Sequence, residues 1–143
     1  MHFNGWGDYP NPKGFTQDHI HGPFEGPFVK TNAVQAAVKT QVPAYRDCAC
    51  SIQQRTVDYL TTTWGQVEPL YQLQKDGGLV DGDKRGIAFV DARLAAGAAE
   101  LRDMVVDAWT ASAKGTIGYR PEISVDDVES GKVDPWNDLY GKD

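Results

Sequence analysis

Lys84-Arg85-Gly86-Ile87-Ala88-Phe89-Val90-Asp91-Ala92-Arg93-Leu94-Ala95-Ala96-Gly97-Ala98-Ala99 opens the stretch that decides the fold class, which runs on to Ala113. Ile87, Val90, Leu94, Gly97, Ala98, Leu101, Val105, Ala108, Trp109 and Ser112 recur at three- and four-residue steps. That period places them on one face of a helix over residues 84–113. Asp81-Gly82-Asp83 offers a cap at its start, and Lys114-Gly115 ends it. The small residues from Ala95 to Ala99 permit close approach of a neighbour, either another helix or a partner chain. Arg93 and Arg102 are expected on solvated or ion-paired faces.

Upstream, residues 45–74 carry a second helical pattern. Ile52, Thr56, Val57, Leu60, Trp64, Val67, Leu70 and Tyr71 share one stripe. Pro69 should bend or break this helix near Gly65-Gln66, and Asp76-Gly77-Gly78 closes it. A first helix is expected from Pro23–Pro27 to Val42, with Phe24, Phe28, Thr31, Val34, Ala37 and Val38 as its apolar face. Proline is tolerated in a first turn, where its missing N–H would be unpaired anyway. Before it, Gly5, Gly7, Pro10, Pro12 and Gly14 punctuate the aromatic set Phe3, Trp6, Tyr9 and Phe15. This loop either lays its aromatics over the core or forms one wall of a ligand cleft. Downstream, Ser124 with Asp127 resembles a capping box for a short helix. Asp134-Pro135-Trp136 opens a last turn, with Leu139 and Tyr140 as anchors. The sum is an all-α chain, a long-helix bundle with an irregular aromatic N-terminal loop and a short-helix C-terminal tail. We expect one domain over 1–143: loop 1–22, helical core 23–113, tail 114–143.

Apolar residues make up 41% of the 143 and charged residues 24%, an ordinary globular composition. A net charge of −6 disfavours a generic phosphate-backbone binder, which rests on a basic patch. It leaves room for a metal-dependent enzyme, because the metal would bring its own positive charge. No apolar run is long enough to span a membrane, and the first residues lack the pattern of a signal peptide. Cys48 and Cys50 fall within the expected second helix, where neighbours two apart diverge. They are therefore expected as partly buried thiols without a mutual disulfide.

No Gly-x-Ser-x-Gly, phosphate-loop or dinucleotide fingerprint occurs. What remains is the N-terminal set His2, Asp8, Asp18, His19, His21 and Glu25, which holds all three histidines. His21 and Glu25 are four apart, so a helix brings them onto one face. Imidazole and carboxylate both suit zinc, and the pair makes half of a metal site. The competing reading has His21 as a polar residue at a helix start and Glu25 as an acid that complements the helix dipole. His19 and His21 would point to opposite sides of an extended chain, so one metal would not take both. His2, Asp8, Asp18 and His19 remain as an additional polar wall. No catalytic residue is assigned.

Asn4-Gly5-Trp6-Gly7-Asp8, Asn11-Pro12-Lys13-Gly14-Phe15 and His21-Gly22-Pro23-Phe24-Glu25 together resemble the later part of the bacterial zinc-dependent phospholipase C and single-strand nuclease superfamily. In that family a His-x-x-x-[Asp/Glu] pair opens a long helix and both members are zinc ligands. The stretch from Arg93 to Ala98 is similar to the family's long C-terminal helix. The resemblance implies an all-α zinc enzyme that hydrolyses phosphodiesters, in nucleic acid or phospholipid, and a secreted or periplasmic parent. The family's N-terminal tryptophan and its further histidines and aspartates have no counterpart here. The expectation is therefore a truncated relative with little or no catalysis alone. A missing N-terminal half would leave apolar surface exposed, and a homo-oligomer is the expected consequence. The competing function is a non-catalytic helical interaction module.

Overall fold

The computed structural model describes residues 5–7, 9–117 and 122–138, and it is mostly helical. It forms two compact units, Met1–Glu100 and Leu101–Asp143, each described by itself. The longest helix contributes to both.

In the first unit the helical run begins at α1, His21–Pro23, continues as a π-helical segment, Phe24–Val29, and ends in α2, Lys30–Asn32. Pro27 lies inside the π segment, where its missing N–H removes a rung from the ordinary ladder. The expected first helix does not run unbroken to Val42. Ala33 and Val34 are extended, and α3, Gln35–Gln41, starts afresh. Asn32 helps to fix the break. Its amide donates to the Phe28 carbonyl at 2.9 Å, and its carbonyl oxygen accepts the Gly82 N–H at 3.0 Å. Val34, expected on the apolar face, is exposed.

The expected second helix starts later and splits where its sequence pointed. Ser51 caps α4, Ile52–Trp64, by accepting the Gln54 N–H at 3.1 Å. Gly65-Gln66 separates it from α5, Val67–Lys75. Pro69 is the third residue of α5, within the turn whose N–H groups have no helical partner, which is why the break precedes it. Residues 42–51 are not helical, and this overturns the expectation for the cysteines. Ala49 turns the chain back with φ +49°, bringing Cys48 and Cys50 to a Cα separation of 5.1 Å, and they are joined as a disulfide.

The third helix, α6, spans Lys84–Ser112, one residue short of the expectation. Asp83 caps it, its Oδ1 accepting the Arg85 N–H at 2.8 Å. The buried face of α6 shares only Val90 with the stripe read from sequence. Gly86, Val90, Asp91, Ala95, Ala99 and Asp103 are buried, whereas Leu94, Leu101, Val105 and Trp109 are exposed. The small residues Ala95 and Ala99 are buried, and Leu94, Leu101, Val105 and Trp109 stay outside.

The core of the first unit gathers Phe15, Ile20 and Tyr71, with Trp6, Val67 and Leu70 packed against them. The Trp6 ring lies 4.7 Å from Phe15 and 5.1 Å, edge-on, from Tyr71. The aromatic loop therefore covers the core, one of its two expected roles. In the second unit, β1, Thr116–Ile117, pairs antiparallel with β2, Ile123–Ser124, so the chain is mainly rather than wholly α. Helices α7, Val125–Glu129, and α8, Pro135–Asp138, follow. Ser124 makes no side-chain cap bond, and the Asp127 carboxylate holds Lys132 at 2.8 Å. Leu139 and Tyr140 lie outside the described residues. No described helix is long and apolar enough to cross a membrane.

Candidate functional site

His21 is the first residue of α1, and Glu25 lies one turn on, in the π segment. The spacing does what the sequence suggested: His21 Nδ1 and Glu25 Oε1 are 3.4 Å apart. Ile20 anchors this turn from below, buried in the core just before it. Both side chains keep solvent access, about a third of the histidine (36%) and more of the glutamate (63%).

The pair lines a cavity of about 220 Å³ together with Phe24, Tyr71, Phe89 and Arg93. The walls are largely apolar, and four ionisable groups, His21, Glu25, Tyr71 and Arg93, line them, a pattern common to small-molecule sites. Arg93 was expected on a solvated or ion-paired face. It is instead half-buried in the cavity wall, and its Nε has no hydrogen-bond partner among the described residues. Its approach to His21 depends on the fold joining α1 to α6, across some seventy positions of sequence, so no local motif could reveal it. Tyr71 accepts the Gly5 N–H at 2.9 Å, and burial pushes its phenol above the ordinary value of 10.0. It is a neutral hydroxyl across the working pH range.

Asp18 and His19 are exposed and line a different cavity, of about 290 Å³, beside Ile20, Pro23 and Phe24. His2 and Asp8 lie outside the described residues. Among the described residues, no three His, Cys, Asp or Glu side chains converge as a metal-binding group. The chemistry of His21 and Glu25 fits zinc, and they offer two of the three or four protein ligands that zinc sites take. A third cleft, about 620 Å³, is walled by Trp6, Tyr9, Trp64 and Glu68. Trp6 and Tyr9 of the aromatic loop form part of this wall. No protein family, curated protein or solved structure matches the chain.

Proposed function

We propose that this chain is a relative of the zinc-dependent phosphodiester hydrolases, with His21 and Glu25 as half of its metal site. The observation that carries the reading is the facing pair, 3.4 Å apart, in a cavity wall that also takes Arg93. His21 and Glu25 would hold the ion through an imidazole nitrogen and a carboxylate oxygen. When bound, zinc supplies a Lewis acid and an activated water at neutral pH. The chain's own part is binding and orientation. A phosphodiester carries a negative charge on its non-bridging oxygens, and the Arg93 guanidinium fork matches those oxygens. The apolar walls from Phe24 and Phe89 would lower the local dielectric and strengthen that pairing. Two protein ligands do not complete a catalytic zinc site, so the described residues alone support little or no turnover. The remaining ligands would come from a second polypeptide or from water.

Metal analysis of the purified protein by mass spectrometry tests the reading, with His21→Ala and Glu25→Ala beside it. We expect about one zinc per chain, lost in both variants, as a single shared ion requires. Equal metal content in all three proteins would rule the half-site out.

A second reading is a helical interaction module that associates with its own kind. The exposed run Leu101, Val105 and Trp109 on α6 favours it, at 67%, 58% and 68% exposure. Large apolar residues at helical spacing on an open face mark a contact surface.

A further inference from the structure

The Cys48–Ala49–Cys50 segment has a chemistry that neither reading uses. A disulfide across a single intervening residue closes a very small ring, and the backbone must turn sharply to allow it. Ala49 makes that turn at φ +49°, the sole positive φ among the described non-glycine residues. An L-residue with a Cβ is disfavoured in this region by steric contact with its own carbonyl. Asp47 supports the turn, its Oδ1 accepting the Ala49 N–H at 2.8 Å. Both cysteines are only half-buried, so a thiol from solution can reach them.

The two sulfurs are not equivalent. Cys50 directly precedes Ser51, the cap of the 13-residue helix α4. The first-turn N–H groups and the dipole of that helix favour negative charge at its start. A thiolate on Cys50 is thereby stabilised, which makes Cys50 the better leaving group. Cys48 lies a further two residues back along the turn.

We propose that Cys48–Cys50 is a thiol–disulfide exchange site, opened by small dithiols or by glutathione-type thiols. An incoming thiolate attacks Cys48 Sγ, forms a new S–S bond there and releases Cys50 as the thiolate. A second thiolate then attacks the incoming sulfur of the mixed disulfide, and Cys48 leaves as a thiolate. The protein gains two electrons and, on protonation of both thiolates, two protons. The external thiols lose the same two electrons and become a disulfide. Opening the ring frees Ala49 from its left-handed turn, so the reduced form gains what the oxidised form must hold in place.

The test equilibrates the full chain in defined mixtures of reduced and oxidised glutathione. After an acid quench and alkylation, mass spectrometry reads the oxidised fraction. Wild type, Ala49→Gly, Cys48→Ser and Cys50→Ser are compared, with circular dichroism to confirm the helices. We expect the wild-type disulfide to open within the glutathione range. Glycine tolerates the left-handed turn, so Ala49→Gly should move the exchange constant toward the disulfide by roughly fivefold or more. Brief reaction of wild type should place the first glutathione on Cys48. The single-cysteine variants, which cannot close the ring, supply the two mixed-disulfide mass standards. A wild-type disulfide that stays closed in a large excess of reduced glutathione would overturn the proposal. So would an Ala49→Gly constant equal to wild type, or a first adduct on Cys50.

Discussion

Asp83 shows how one side chain can hold the start of the longest helix. Its carboxylate caps α6 and also meets its neighbour's guanidinium, with Arg85 Nη2 to Asp83 Oδ2 at 2.8 Å. The Arg85 side-chain hydrogen bonds, then the Arg85 backbone N–H, bring its pKa from 3.8 to about 2. A lowered native pKa favours the fold while the aspartate is ionised in both states, above pH of about 4. That contribution falls away as the pH drops through about 2. Asparagine caps as well as aspartate, so Asp83→Asn removes the charge and keeps the cap. Urea unfolding at a series of pH values should show wild type ahead of Asp83→Asn near pH 5. The gap should close as the pH approaches 2, and added salt should narrow it at the upper end because the pair is exposed. A gap of constant size across the acid range would refute this account. The cap was legible in Asp81-Gly82-Asp83, and so was the His21–Glu25 approach, because both depend on spacing within a few residues. The Cys48–Cys50 bond was not. Its geometry depends on the left-handed turn at Ala49, and alanine gives no sign of that in sequence.

Among the elements, α6 packs by close approach rather than by bulk. At Gly86 a Cβ would lie 2.1 Å from the Gly78 carbonyl oxygen and 2.4 Å from Phe28 Cζ. At Gly97 the nearest neighbour would be the Tyr59 hydroxyl, at an ordinary 3.4 Å. Alanine is favoured over glycine inside a helix by about 1 kcal/mol. Overpacking a filled site costs about 1–3 kcal/mol, more where backbone must move. The two substitutions should therefore have opposite signs. Gly86→Ala should destabilise by about 1–3 kcal/mol, because a carbonyl cannot swing aside. Gly97→Ala should be neutral to stabilising by up to about 1 kcal/mol. Denaturant titration of both variants decides it, and a Gly86→Ala protein as stable as wild type would mean that α6 does not seat on Phe28. The break at Gly65-Gln66 was readable because Pro69 is a strong local signal. The break at Ala33-Val34 was not, since it depends on Asn32 reaching Gly82, fifty residues away. For α6 the period was readable but the buried side was not. A sequence of small and large apolar residues on adjacent faces does not say which of them a neighbour will cover. Ala95 and Ala99 took the inside, where small side chains permit close approach.

For the molecule as a whole, that choice leaves surface to be covered. Leu101, Val105 and Trp109 lie at four-residue steps on α6 with more than half of each side chain open to water. Burying one such side chain fully is worth roughly 1.5–3 kcal/mol, so a face of three can drive association. The occupant we favour is a second copy of this chain. A two-fold axis across a straight helix sets a stripe against its own equivalent, and an apolar stripe is complementary to itself. Opposing this, each copy carries a net charge of −6. Screening weakens repulsion between like-charged copies, while apolar contact is not weakened by salt. Self-association should therefore strengthen with added sodium chloride, the reverse of a charge-driven contact. Light scattering across a concentration series should show mass rising toward twice that of one chain, with the rise moving to lower concentration in salt. Leu101→Glu combined with Trp109→Glu should hold the protein at the mass of one chain. Both positions are exposed, so the helix itself should survive the change, as circular dichroism would report. A wild-type protein that keeps the mass of one chain at high micromolar concentration in salt would remove the self-associating reading. A double variant that associates as wild type does would move the contact away from this face of α6.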